Sequence, residues 1–353
     1  MKPIILLGVG LMLVVVGAAA QRSVAGQQPD TAQVLVHYKF SHVRDTNNRA
    51  HPYTENMVLL VGKHGGVYRS YDFQLSVAQD KKKMQEAMAG SADGNVRFNR
   101  RITGSGTEYY QYPNDGKMLR KERMFGSFLI TGSLPVINWQ ISGDTATFGG
   151  LHCQKATAHF KGRDYTAWFC PDLPLHIGPW ELNGLPGVIV EAFDATGDVR
   201  FMFEGVEKAV VLAGRDDQAG GGQGAGGQAA GQGPGGQGAP PPLPGMDDLN
   251  TDPDIIKVPD NATKTTDKEF AKLQAAFRKD PNAFVQSMMA AQAGGPGGGG
   301  GMPGGGGPGG GMPGGGGMAG GKGSGPGGSG PKINIKAGPA PVINNPIELP
   351  EKQ

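Results

Sequence analysis

Short apolar runs separated by chain breakers dominate the N-terminal half. Residues 34–42, 56–62, 66–73, 106–112, 118–124 and 128–130 are rich in Val, Leu, Tyr and Phe, with Gly, Asn, Asp and Pro between them. That pattern predicts a β-meander. Tyr109-Tyr110-Gln111-Tyr112 runs into Pro113-Asn114-Asp115-Gly116, so Lys117 onward should return antiparallel. Over residues 75–89 the period changes, and Met84, Met88 and the alanines share one helical face. A second helical segment opens at Thr266-Asp267-Lys268-Glu269, which has capping-box form, with Phe270, Leu273 and Phe277 behind it. Asp280-Pro281 reads as a further N-cap and N1 pair. These amphipathic faces are expected to pack on the sheet. Residues 332–336 alternate as a short strand, and the apolar residues of 342–349 imply that the chain end rejoins the domain.

The segment 178–194 is the most distinctive. Gly178-Pro179-Trp180 forms one turn signal, and Gly184-Leu185-Pro186-Gly187 a second, feeding the β-branched run Val188-Ile189-Val190. Proline presets φ and glycine permits a left-handed or closely approached backbone, so a tight corner delivering a strand into the core is expected.

Residues 151–170 allow a register to be assigned. If Lys161-Gly162 is a two-residue hairpin loop, Phe160 opposes Arg163, and counting outward places Cys153 opposite Cys170. The same register pairs Lys155 with Trp168, Thr157 with Thr166 and His159 with Asp164 on a polar face. The other face gathers Ala156, Ala158, Phe160, Tyr165, Ala167 and Phe169. Facing cysteines in an exported protein are expected to be disulfide-bonded. A redox pair or half a metal site are the rival readings, and both lack the C-x-x-C spacing or convergent histidines those roles use.

Composition changes the picture in two places. Residues 1–20 combine Lys2, an apolar run and Ala18-Ala19-Ala20, the parts of a secretory signal peptide, and the run is shorter than the roughly 20 residues that cross a bilayer. A soluble mature domain over 21–349 with a short tail, 350–353, is expected in the periplasm or associated with the outer membrane, with no integral span after cleavage. The 62 glycines concentrate in 214–245 and 293–331, tracts without a Gly-X-Y period, which read as disordered insertions within one domain. Thirty-three basic against 31 acidic residues leave a net charge of +2, no electrostatic case for nucleic acid as a partner.

Catalytic signals are sparse. The seven histidines form no H-E-x-x-H or i, i+4 pair, and no serine lies in a G-x-S-x-G context. Glu191 and Asp194 could act as a carboxylate pair, and a periplasmic hydrolase using Glu191 with a histidine is the alternative enzymatic reading. No catalytic residue, metal site or cofactor is otherwise indicated. Trp168 and Trp180 are the candidate binding residues, each either displayed beside a rigid turn or covering an end of the core.

Between residues 139 and 194 the chain carries Trp139-Gln140-Ile141, Cys153-Gln154-Lys155-Ala156-Thr157, Lys161-Gly162-Arg163-Asp164-Tyr165-Thr166-Ala167-Trp168, Pro171-Asp172-Leu173-Pro174, Gly178-Pro179-Trp180 and Gly184-Leu185-Pro186-Gly187-Val188-Ile189. In that order they resemble the GLPGLI family of exported proteins, with Val188 where leucine is usual. The resemblance implies a β-rich periplasmic or outer-membrane-associated protein and no assigned catalytic residue. The expected fold is mainly β with some α: a single antiparallel curved sheet, half-barrel or sandwich, with helices packed on it. The expected function is a non-catalytic binding or accessory protein, its partner an envelope protein or an apolar ligand, working as a carrier or alongside outer-membrane transport machinery. A structural envelope protein acting through its Gly-rich tracts is the third reading.

Overall fold

The computed structural model describes residues 29–90, 103–124, 126–209, 254–284, 286–287 and 342–351. The signal peptide expected at 1–20, both Gly-rich tracts and the short strand expected at 332–336 lie outside them. The strands are β1 (Asp30–Thr31), β2 (Val34–His42), β3 (Tyr53–Val61), β4 (Gly66–Ser70), β5 (Glu108–Tyr112), β6 (Lys117–Arg123), β7 (Ser127–Ser133), β8 (Gln140–Phe148), β9 (Leu151–Phe160), β10 (Arg163–Cys170), β11 (Val188–Asp194), β12 (Val199–Lys208), β13 (Ile255–Ile256) and β14 (Thr263–Thr265). The helices are α1 (Tyr71–Gly90) and α2 (Asp267–Lys279).

Twelve strands form one open sheet in the order β14-β7-β6-β5-β4-β3-β2-β12-β11-β10-β9-β8, and β1 pairs with β13 in a separate two-stranded piece. The chain is mainly β, as its pattern predicts. The large sheet is mixed rather than wholly antiparallel, because β14 returns parallel to β7. Apolar side chains cover both faces. Val58, Leu60, Val67, Tyr110 and Leu119 meet Ile256 and Val258 on one face, while Val36, Tyr38, Leu59, Tyr68 and Phe201 pack on the other.

One boundary departs from expectation for a local reason. The strand expected to reach residue 73 stops at Ser70, whose Oγ accepts from Phe73 N–H at 3.0 Å and caps α1. The expected capping box of α2 is present: Thr266 Oγ1 accepts from Glu269 N–H, and the Glu269 carboxylate accepts from Thr266 N–H. α2 docks Phe270 against Phe128, ring centroids 5.4 Å apart.

The hairpin register holds throughout. Phe160 opposes Arg163, Lys155 opposes Trp168, and the loop residues Lys161 and Gly162 both have positive φ, as the tight turn requires. Cys153 and Cys170 are disulfide-bonded across 17 residues. Replacing both by alanine should cost about 3 kcal/mol in urea denaturation through lost loop constraint. An unchanged midpoint would show that the sheet alone sets this register.

β11 and β12 share only the pairs Ala192–Phe201 and Phe193–Arg200. Near this narrow junction Phe148 packs against Trp168 at 5.8 Å and against Phe203 at 5.6 Å. Trp168 is thus half-buried in an aromatic cluster, not displayed on a solvated polar face.

Candidate functional site

Side chains alternate along a strand, so Phe40 and His42 of β2, Tyr53, Glu55 and Met57 of β3, Tyr68 of β4, Tyr109 of β5 and Phe201 of β12 can share one sheet face. They line a cavity of about 180 Å³, together with Trp180 from the loop 171–187 and Ile347 from the C-terminal tail. One cavity lined from five neighbouring strands makes this face concave.

Much of the concavity is filled by the chain itself. The loop 171–187 crosses from β10 and β11 towards β5, where the fully buried Gln111 donates from Nε2 to Gly178 O at 3.0 Å and to Trp180 O at 2.8 Å. Gly66 gives it room, since a Cβ there would stand 2.4 Å from Ile177 Cδ1. Tyr38 donates its hydroxyl to Ile189 O at 2.7 Å where β11 begins. The distinctive glycine-proline segment is thus an internal plug. Leu185 is buried, and Gly187 turns the chain into β11 where a Cβ would fall 2.4 Å from the Cys170 carbonyl oxygen.

Trp180 resolves the alternative left open by its sequence context. It is 3% exposed, stacks parallel to Phe201 at 6.4 Å, and meets Phe160 and Tyr165. Its φ of 55° is left-handed, a conformation that costs a bulky residue energy and persists only where surroundings enforce it. Gln111 donates to the Trp180 carbonyl, and the ring is packed on several sides. The ring therefore forms the cavity wall instead of facing outward.

The polar lining is organised around Tyr53. Its hydroxyl donates to Glu55 Oε2 at 2.5 Å, and the Arg44 guanidinium lies 3.5 Å over its ring. Glu55 is 3% exposed and also accepts from Ser105 N–H. The loop can come this close because Gly104 lacks a side chain: a Cβ would fall 3.0 Å from Glu55 Oε1. Desolvation and the adjacent Glu55 push the Tyr53 phenol well above its usual range, so it serves as a donor. Tyr68, buried and likewise pushed up, has a hydroxyl with no hydrogen-bond partner.

His42 ties the cavity to the tail. Its Nε2–H donates to Asn345 O at 2.8 Å, which leaves the lone pair on Nδ1. Burial lowers its pKa from 6.5 to about 4, against the opposing effect of the Asn345 carbonyl, so the ring is neutral at pH 7. The unfolded chain takes up this proton first as pH falls. Stability from the neutral ring is therefore complete above pH 6.5 and lost towards pH 4, a change on the order of 3 kcal/mol. His42→Gln should flatten the fall in Tm across that window; parallel curves for the two proteins would contradict it.

Glu191 does not join this site. It lies opposite Trp168, and its carboxylate accepts from Phe203 N–H at 3.1 Å, with no hydrogen bond to a histidine. Among the described residues no cluster of His, Cys, Asp or Glu could hold a metal ion, and no helix is long and apolar enough to cross a membrane. The inward positions Glu55, Tyr53 and Tyr68 carried no motif. Only the alternation of β3 and β4, followed through their pairing, puts them together.

No family model and no curated protein matches the chain. Two solved structures of PNGF-II, in the C2 and P21 space groups, resemble it with a TM-score of 0.35 each, at 11% and 12% identity. Each comparison covers 53% of this chain, and the chain spans less than a third of the partner, 29% and 30%. A likeness at that level says nothing about activity.

Proposed function

We propose that this is an exported, non-catalytic binding protein of the GLPGLI type that takes a small ligand into the cavity between Tyr53, Tyr68 and Trp180. The periplasm, or the periplasmic side of the outer membrane, is its place of action. The observation that carries the reading is the cavity itself, where Arg44 and Glu55 stand on the wall without pairing with each other. Hydrogen bonds to charged groups contribute about 1.5–3 kcal/mol each, so a ligand that pairs either group gains on binding. The strained Trp180 supports the same reading, because backbone strain of this kind gathers at binding sites.

The size and chemistry narrow the earlier expectation of an apolar cargo. A cavity of about 150 Å³ holds a benzene ring, so the space here suits one ring with short substituents. The concavity that a lipid carrier would use is occupied by the loop 171–187. Native mass spectrometry of protein purified from the periplasm tests the proposal. It should show an added mass of single-ring size that is lost when Arg44→Gln and Trp180→Leu are combined. Protein that is consistently empty would sink the reading.

A further inference from the structure

The cavity contains one cation and one anion that do not pair with each other. Arg44 and Glu55 both line it, yet no ion pair joins them: the Tyr53 ring stands between, with Arg44 on its face and Glu55 on its hydroxyl. The guanidinium meets an aromatic face where a carboxylate would serve it better. Glu55 accepts two hydrogen bonds through oxygens that can accept about four. Separated opposite charges in a small, partly desolvated space match a ligand that is itself dipolar. A cation alone would be opposed by Arg44, and an anion alone by Glu55.

We infer that the site takes a zwitterionic α-amino acid with an aromatic or branched apolar side chain. The inference rests on the cavity being the binding site. Its carboxylate meets Arg44 at the half-buried mouth. Its ammonium donates to Glu55, whose two oxygens keep acceptor capacity in reserve. Its side chain enters the wall of rings formed by Phe40, Phe201 and Trp180, where Phe40 and Phe201 stack at 5.1 Å and Phe201 and Trp180 at 6.4 Å. Phe40 is half-buried and Phe201 only 1% exposed, so the rings form a partly open slot.

Isothermal titration calorimetry of the full mature chain separates the possibilities, with L-phenylalanine, phenethylamine, 3-phenylpropionate and phenol as probes. L-Phenylalanine should bind at least tenfold tighter than either singly charged analogue. Arg44→Gln should lower its affinity to that of phenethylamine while leaving phenethylamine binding unchanged or stronger. Glu55→Gln should mirror this with 3-phenylpropionate; should it fail to fold, Arg44→Gln and the four probes decide the matter alone. Equal affinity for the amino acid and one of its single-charge analogues overturns the inference. Phenol binding without L-phenylalanine binding overturns the ligand class but leaves the cavity as the site. Binding of none of the four overturns both.

Discussion

Arg163→Ala should lower stability by about 3–5 kcal/mol and release the C-terminal tail. The guanidinium is 5% exposed and spends its donors on four acceptors: Asp194 Oδ2 at 2.6 Å, Asn345 Oδ1 at 2.6 Å, Pro346 O at 2.7 Å and Ile347 O at 2.9 Å. Removing it strands Asp194, 2% exposed, which would keep only the Thr196 hydroxyl and the Val199 amide as donors. An uncompensated buried charge is the costly outcome, more than the loss of the pair itself. Arg163→Lys keeps the charge but loses the planar fork, so it should fall between the two proteins. Thermal unfolding should show the alanine variant melting on the order of 10 °C lower. Limited proteolysis should cut residues 342–351 in Arg163→Ala before the folded domain. A protected tail would show that His42, Asn345 and Lys161 suffice to hold it.

Gly187→Ala should be worse still, by at least about 4 kcal/mol, through steric conflict rather than lost contacts. Gly187 has φ 154°, and a Cβ there would lie 2.4 Å from Cys170 O and 2.6 Å from Cys170 C. Both are backbone atoms beside the disulfide, so neither can swing aside. Gly184, also at positive φ, has nothing within 4 Å of its missing Cβ. Gly184→Ala should therefore cost only about 1–2 kcal/mol, the price of a left-handed alanine. Guanidinium denaturation of the two variants side by side checks this. Equal losses would mean that positive φ, and not close approach, explains both glycines.

The contrast between hairpin and cavity shows where sequence reading stops. The pairing of β9 with β10 was legible because a two-residue turn fixes the register and every opposed pair then agrees in polarity. The role of 184–187 as a corner was legible for the same local reason. The cavity was not, because its walls come from β2, β3, β4, β5, β12, the loop 171–187 and Ile347, brought together only by sheet order. Nothing local marks Glu55 as inward-facing, since an alternating strand reads equally well with its polar positions in solvent. Trp180 stands in a turn that local pattern does reveal. Its burial followed from Gln111, 69 residues away, which no local pattern connects to it.

The claim that the cavity is the binding site is tested most directly by methyl NMR on methionine-labelled protein. Met57 lines the cavity, whereas Met118 and Met202 do not. With Met57 assigned through Met57→Leu, titration with L-phenylalanine or phenol should shift the Met57 methyl signal in a saturable way and leave Met118 and Met202 in place. Saturable binding that leaves the Met57 signal unmoved would place the ligand elsewhere and contradict the claim.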